Sequence, residues 1–156
     1  MNKNYMGFKM IKAEPMNLGD YNKFKGWTIP ADEDPLREGY KVEYSDDYVS
    51  WSPKKEFDEA YMEVIPNDKL KSDISISQEM VDDFIKNYLI VSMGNKTTIV
   101  KATLINGFEI TKTSSCVDVL NYDEKIGADN CKKAIKSEIW YLLGFLLQTA
   151  KNGINK

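Results

Sequence analysis

Histidine is absent from this chain of 156 residues. That removes the commonest general base, proton shuttle and zinc ligand together. Neither a Ser-His-Asp nor a Cys-His nucleophile can be assembled from the chain alone. Arginine is almost absent: of 21 basic residues only Arg37 is an arginine, and the other 20 are lysines. Arginine is the usual bidentate reader of guanine edges and phosphates, so its scarcity argues against base-specific DNA recognition. A net charge of −3 argues against general nucleic-acid binding, which rests on a basic surface. Cys116 and Cys131 are too few for a secreted disulfide framework and fit a reducing compartment. They lack CxxC spacing and a histidine partner, so buried, inert thiols are expected. No apolar run approaches the roughly 18 residues that span a bilayer, and no basic-then-apolar secretory layout opens the sequence. These absences predict a cytoplasmic protein that is not an enzyme, with no cofactor, no metal and no membrane partner.

What is present is globular. Apolar residues make up 42% and charged residues 29%. A chain of this length buries roughly 70% of its unfolded surface, enough to dispense with covalent staples. Charge is unevenly divided: residues 1–66 hold 13 acidic and 9 basic residues (net −4), whereas 67–156 hold 11 and 12 (net +1). The polar seam at 67–73 has no apolar periodicity and reads as a linker. The prediction is therefore an α+β fold of two small modules, 1–66 and 74–156. Each is a β-hairpin or small antiparallel sheet packed on one or two helices.

In the first module, Gly7–Glu14 suggests a short strand and 17–35 a polar loop with a turn. Gly39–Tyr44 alternates with period two, Ser45-Asp46-Asp47 turns the chain, and Tyr48–Trp51 returns. Ser52 as N-cap and Pro53 at the first position would launch a helix to Tyr61. Tyr40, Tyr44, Tyr48 and Trp51 are expected mostly to fill a small core. In the second module, Ile76, Met80, Val81, Phe84, Ile85 and Tyr88 make one stripe at helical spacing, with Ser75 and Gln78 as a capping box. Thr97–Ile105 and Phe108–Val117 are β-rich and joined by Asn106-Gly107, a hairpin signal for a type I′ turn. A long helix is expected from Tyr122 to Ala150, capped by Asn121, burying Ile126, Ile135, Ile139, Leu142, Leu143 and Leu146. Gly127 and Gly144 inside it would each permit close packing or a bend.

A two-residue turn at Asn106-Gly107 would set Lys101 opposite Lys112, surrounded by Thr97, Thr98, Thr111, Thr113, Ser114 and Ser115. Two facing lysines are destabilising unless an anion lies between them or they splay into water. A phosphate would suit the lysines and hydroxyls, although a solvated sheet face fits the same residues. Lys132, Lys133 and Lys136, with Lys125, form a second basic cluster, which equally fits a solvated helix face. Asp32-Glu33-Asp34 lacks the spaced donors and glycine of a calcium loop.

Residues 96–100, 103–108 (Thr-Leu-Ile-Asn-Gly-Phe), 114–118, 121–127 and 136–145 (Lys-Ser-Glu-Ile-Trp-Tyr-Leu-Leu-Gly-Phe) carry a resemblance. In order and spacing they resemble the "gene product 49 / gene 66" family of small tailed-phage proteins, over about 74–148. Where that family usually has an arginine after the glycine and a glutamate before the later one, this chain has Ala128 and Leu143. The first module, through Ile11–Met16, Gly39–Val42, Tyr48–Lys54 and Phe57–Tyr61, resembles an accessory domain of phage and prophage proteins. That domain also accompanies proteins similar to anti-Thoeris sponges. The resemblance implies a counter-defence protein in the host cytoplasm, binding a small anionic nucleotide-derived signal without turnover. A cyclic ADP-ribose isomer or a cyclic oligonucleotide is the expected ligand. The expected ligand-binding residues are Lys101, Lys112, Asn106, Phe108, Ser115, Lys132, Lys136 and Trp140, in a homo-oligomer. The alternative is a protein–protein interaction module that inhibits a host enzyme or serves as a phage accessory factor.

Overall fold

Alternating residues along three short strands build the first sheet. The computed structural model describes residues 1–154 and divides into two units: Met1–Glu63 with the chain from Thr149 onward, and Val64–Gln148. In the first unit β1 (Lys12–Pro15), β2 (Gly39–Glu43) and β3 (Val49–Pro53) form an antiparallel sheet in that order. Tyr40 pairs with Ser52 and Lys41 with Trp51, so Tyr40 and Trp51 occupy opposite faces. Position 39 must be glycine, because the Trp51 ring and the Ser52 carbonyl occupy the space of any Cβ there. The indole N–H of Trp51 donates to the Met16 carbonyl at 2.7 Å, tying the loop after β1 to the sheet.

Within the stretch expected as a polar loop lies α1 (Leu18–Lys25). Asn17 Oδ1 accepts the Asp20 N–H at 2.8 Å, and Gly26, at φ 69°, closes the helix. Its buried residues are Gly19, Tyr21 and Asn22, a set with no apolar stripe to betray a helix. α2 (Lys54–Ala60) begins one residue later than expected: Pro53 holds the cap position and no side chain caps it, so Ser52 does not. Phe57 stacks on Tyr40 with centroids 4.0 Å apart, and meets Tyr61 in a tilted contact at 4.9 Å.

The second unit departs more from expectation. The helix expected over Ile76–Tyr88 ends early: α3 spans Gln78–Asp83, capped by Ser77, whose Oγ accepts the Met80 N–H at 3.3 Å. The chain then extends as β4 (Ile85–Met93), antiparallel to β5 (Thr97–Leu104), which pairs with β6 (Glu109–Ser115). Ile85 and Tyr88 suit either period; the β-branched Ile90 and Val91 and eight ladder partners on β5 decide for the strand. The expected hairpin is thus the outer part of a three-stranded sheet, order β4-β5-β6.

A turn of helix at Val119–Asn121, capped by Asp118, leads into α4 (Glu124–Asn152). Asp123 rather than Asn121 caps α4, its Oδ1 accepting the Ile126 N–H at 3.0 Å. Residues 98, 100, 102 and 104 of β5 are buried, and Cys131, Ile135, Ile139 and Leu143 of α4 pack with them, closed off by Met80 and Val81. Ile126, expected in this core, is 61% exposed; Gly127 takes the inward position instead.

Candidate functional site: the hairpin, its turn and the groove beside it

The turn determines everything the hairpin can present. The Leu104 N–H donates to Phe108 O at 2.8 Å and the Gly107 N–H to Leu104 O at 2.9 Å, with Gly107 at φ 83°. Among the described residues only Asp47 combines a side chain with positive φ, so Asn106 is not in the left-handed conformation that a type I′ turn requires. The loop has three residues and ends in a glycine bulge, one residue longer than the expected turn. Its consequence is a register shift of one: Lys101 pairs with Thr111, and Lys112 with Val100. Because side chains alternate, Lys101 and Lys112 lie on opposite faces, and the anion cradle expected between them does not form.

Each of these lysines has an internal partner. Lys101 Nζ lies 2.8 Å from Glu109 Oε1 on the outer face. On the inner face, beside α4, Lys112 pairs with Glu138. Ser115 bonds Thr97 hydroxyl to hydroxyl at 2.8 Å, at the far end of β6. Six residue steps along the strand, roughly 20 Å, separate it from Glu109, so Ser115 does not join Asn106 and Phe108.

Lys136 and Lys132 do meet, around Tyr88. Lys136 Nζ lies 2.7 Å from Asp82 Oδ1, and this hydrogen bond, more than any other effect, holds the Asp82 carboxyl below its usual range and the Lys136 ammonium above its own. Lys132 Nζ stands 5.2 Å from the centre of the Tyr88 ring. The Tyr88 hydroxyl is buried without a hydrogen-bond partner among the described residues, and burial raises its pKa. Trp140 packs, half-buried, against the core. Burial likewise raises the Cys131 thiol, whose Sγ lies 3.8 Å from Thr98 O, as expected of an inert thiol.

Asn106 and Phe108 converge on a cavity of about 150 Å³ whose walls also include Phe84, Leu142 and Phe145, over a floor of Leu104, Ile139 and Leu143. The Phe108 N–H donates to Asn106 Oδ1 at 3.0 Å, which orients the amide and leaves its NH2 without a partner among the described residues. Phe84, Leu104 and the α4 residues of this groove escaped the sequence reading because their apolar spacing is that of ordinary core. Only the extra strand and the longer turn bring Phe84 and Phe108 to one opening. Among the described residues no group of three or more histidine, cysteine, aspartate or glutamate side chains could hold a metal ion. Nor is any helix long and apolar enough to cross a membrane.

A scan against protein families matches residues 76–151 to the phage protein (N4 Gp49/phage Sf6 gene 66) family. The carboxy-terminal module belongs to this family. The matched stretch includes α3, the whole β4-β5-β6 sheet and almost all of α4, so the groove lies inside the phage-protein module. No curated protein and no solved structure matches the chain. Both departures from the family pattern noted above are core positions here: Ala128 is 4% exposed, and Leu143, at 1%, forms part of the groove floor.

Proposed function

We propose that this phage protein captures a small nucleotide-derived immune signal in the host cytoplasm and holds it without turnover. The observation that carries the reading is the convergence of Asn106 and Phe108 with Phe84, Leu142 and Phe145 over an apolar floor. A cavity of about 150 Å³ that opens at its rim suits a planar base, with aromatic rings for stacking. The NH2 of Asn106 supplies a donor for one acceptor on the base edge.

The anionic part of such a ligand cannot lie between Lys101 and Lys112. It would be met by Lys136 and Lys132, with Lys136 one helical turn before the floor residue Ile139. Binding there competes with Asp82 for the Lys136 ammonium. Affinity without chemistry is consistent with a chain that has no histidine. The test is calorimetric titration with cyclic ADP-ribose isomers and cyclic oligonucleotides, followed by chromatography of the heat-released ligand. Intact ligand is expected; altered ligand would make the protein an enzyme.

The second reading, a protein-binding module acting on a host enzyme or as an accessory factor, is favoured by the first unit. Phe24, Trp27, Leu36 and Tyr48 are all more than half exposed there. Absence of binding to every small ligand in the panel, with a host protein retained by immobilised full-length chain, would support it.

A further inference from the structure

We infer that β4 pairs with β4 of a second copy of this chain, joining two three-stranded sheets into one of six. β4 and β6 are the two edges of the sheet, and they are built differently. β6 carries Glu109, Lys112 and the hydroxyls of Thr111, Thr113, Ser114 and Ser115, the polar decoration that discourages strand addition. β4 is nine residues long, contains no proline, and has Lys86 near one end as its single charge. Leu89, Ile90, Val91 and Met93 are all exposed on it, so apolar side chains reach solvent on both faces of the edge. A long apolar edge with free backbone donors and acceptors is a template for another strand.

The pattern along β4 selects a second copy as the occupant. A two-fold axis through Leu89, the middle residue, makes an antiparallel ladder over Asn87–Val91, the stretch clear of the β-bulge at Lys86. Leu89 then faces Leu89 of the second copy, Tyr88 faces Ile90, and Asn87 faces Val91. No like charges meet. Just past this stretch Lys86 of the second copy comes near Ser92, whose hydroxyl is bonded to the Glu124 carboxylate and, at 2.6 Å, to the Tyr122 hydroxyl. Symmetry supplies that lysine–carboxylate pairing twice. On the outer face Leu89, Val91 and Met93 with Ile99 of β5 become one apolar patch continuous across the axis.

The experiment is sedimentation equilibrium of the full chain over a concentration series, with Leu89→Lys, Leu89→Glu and an equimolar mixture of the two. Leu89 is 55% exposed, so neither substitution disturbs the core of the protomer, which the circular dichroism of each variant checks. The wild type is expected to be a dimer at tens of micromolar. Each variant alone is expected to be a monomer, because like charges would face across the axis, and the mixture is expected to recover the dimer. A wild-type monomer throughout, a dimer indifferent to both variants, or a mixture that stays monomeric would overturn the proposal. It stands apart from the ligand reading: the groove variants Phe108→Ala and Asn106→Ala leave sedimentation unchanged if both hold.

Discussion

Thr98 occupies the space that a side chain at position 127 would need. A Cβ built on Gly127 would lie 2.5 Å from Thr98 Oγ1 and 2.8 Å from its Cβ, so α4 rests directly on β5 here. Thr98 is fully buried, and its Oγ1 lies 3.2 Å from the Tyr122 hydroxyl. Gly127→Ala would gain helix propensity but force the helix off the strand. The expected net effect is destabilisation of about 1–3 kcal/mol by overpacking. Gly144 has nothing within 4 Å of its built Cβ, so Gly144→Ala is expected to stabilise by about 0.5–1 kcal/mol. Urea unfolding midpoints of the two variants should move in opposite directions.

The buried hydroxyl of Tyr88, without a partner among the described residues, is a cost without a compensating bond. Tyr88→Phe removes it while keeping the ring under Lys132. Stability is expected to be unchanged or to rise by roughly 1 kcal/mol, since deleting an unsatisfied buried polar group relieves its desolvation. A fall of similar size in the thermal or urea midpoint would show that the hydroxyl has a partner in solution.

The Lys136–Asp82 pair sets a pH dependence with a definite sign. Asp82 is depressed below 3.8 in the folded state, chiefly by the Lys136 hydrogen bond, so its contribution is present above that value and lost as pH falls through the folded pKa. Lys136 is raised above 10.5, so its contribution is present below that value and lost as pH rises through its own folded pKa. Both groups are partly exposed, which keeps the effect under about 1 kcal/mol. Asp82→Asn should flatten the acid limb of a stability–pH curve measured between pH 2 and 5. On the ligand reading it should also tighten binding of an anion by releasing Lys136, a change that titration at neutral pH detects.

Phe108 is 55% exposed and Asn106 lies in a turn, so Phe108→Ala should leave folding nearly intact. Loss of a base-stacking ring is expected to weaken ligand binding by roughly 1–3 kcal/mol, or about 5- to 150-fold. Lys101→Ala, on the outer face and paired with Glu109, is expected to leave affinity within about two-fold, a contrast that separates the groove from the outer sheet face.

Strong local signals carried much of this fold: alternation in β2 and β3, the β-rich runs of β5 and β6, and the long apolar stripe of α4. What escaped were features settled by non-local contacts. Ile85 and Tyr88 fit a helix until β5 offers them a ladder, and α1 buries too little to show a period. The largest error was one residue in a turn. Asn106-Gly107 signals a hairpin correctly, but whether the loop holds two residues or three depends on the backbone of Ile105 and Asn106. That single residue decides whether Lys101 and Lys112 meet or lie back to back. Asn106 and Phe108 remained together because they belong to the turn itself, and Lys132 and Lys136 because one helical turn separates them.

The central claim is capture of a nucleotide-derived ligand without turnover, and isothermal titration of the purified full-length protein against a panel of cyclic ADP-ribose isomers and cyclic oligonucleotides tests it most directly. The account predicts saturable binding to at least one member, weakened by Phe108→Ala, with the ligand recovered chemically intact after heat release. Recovery of a cleaved or rearranged ligand, or no heat with any member of the panel, would contradict it.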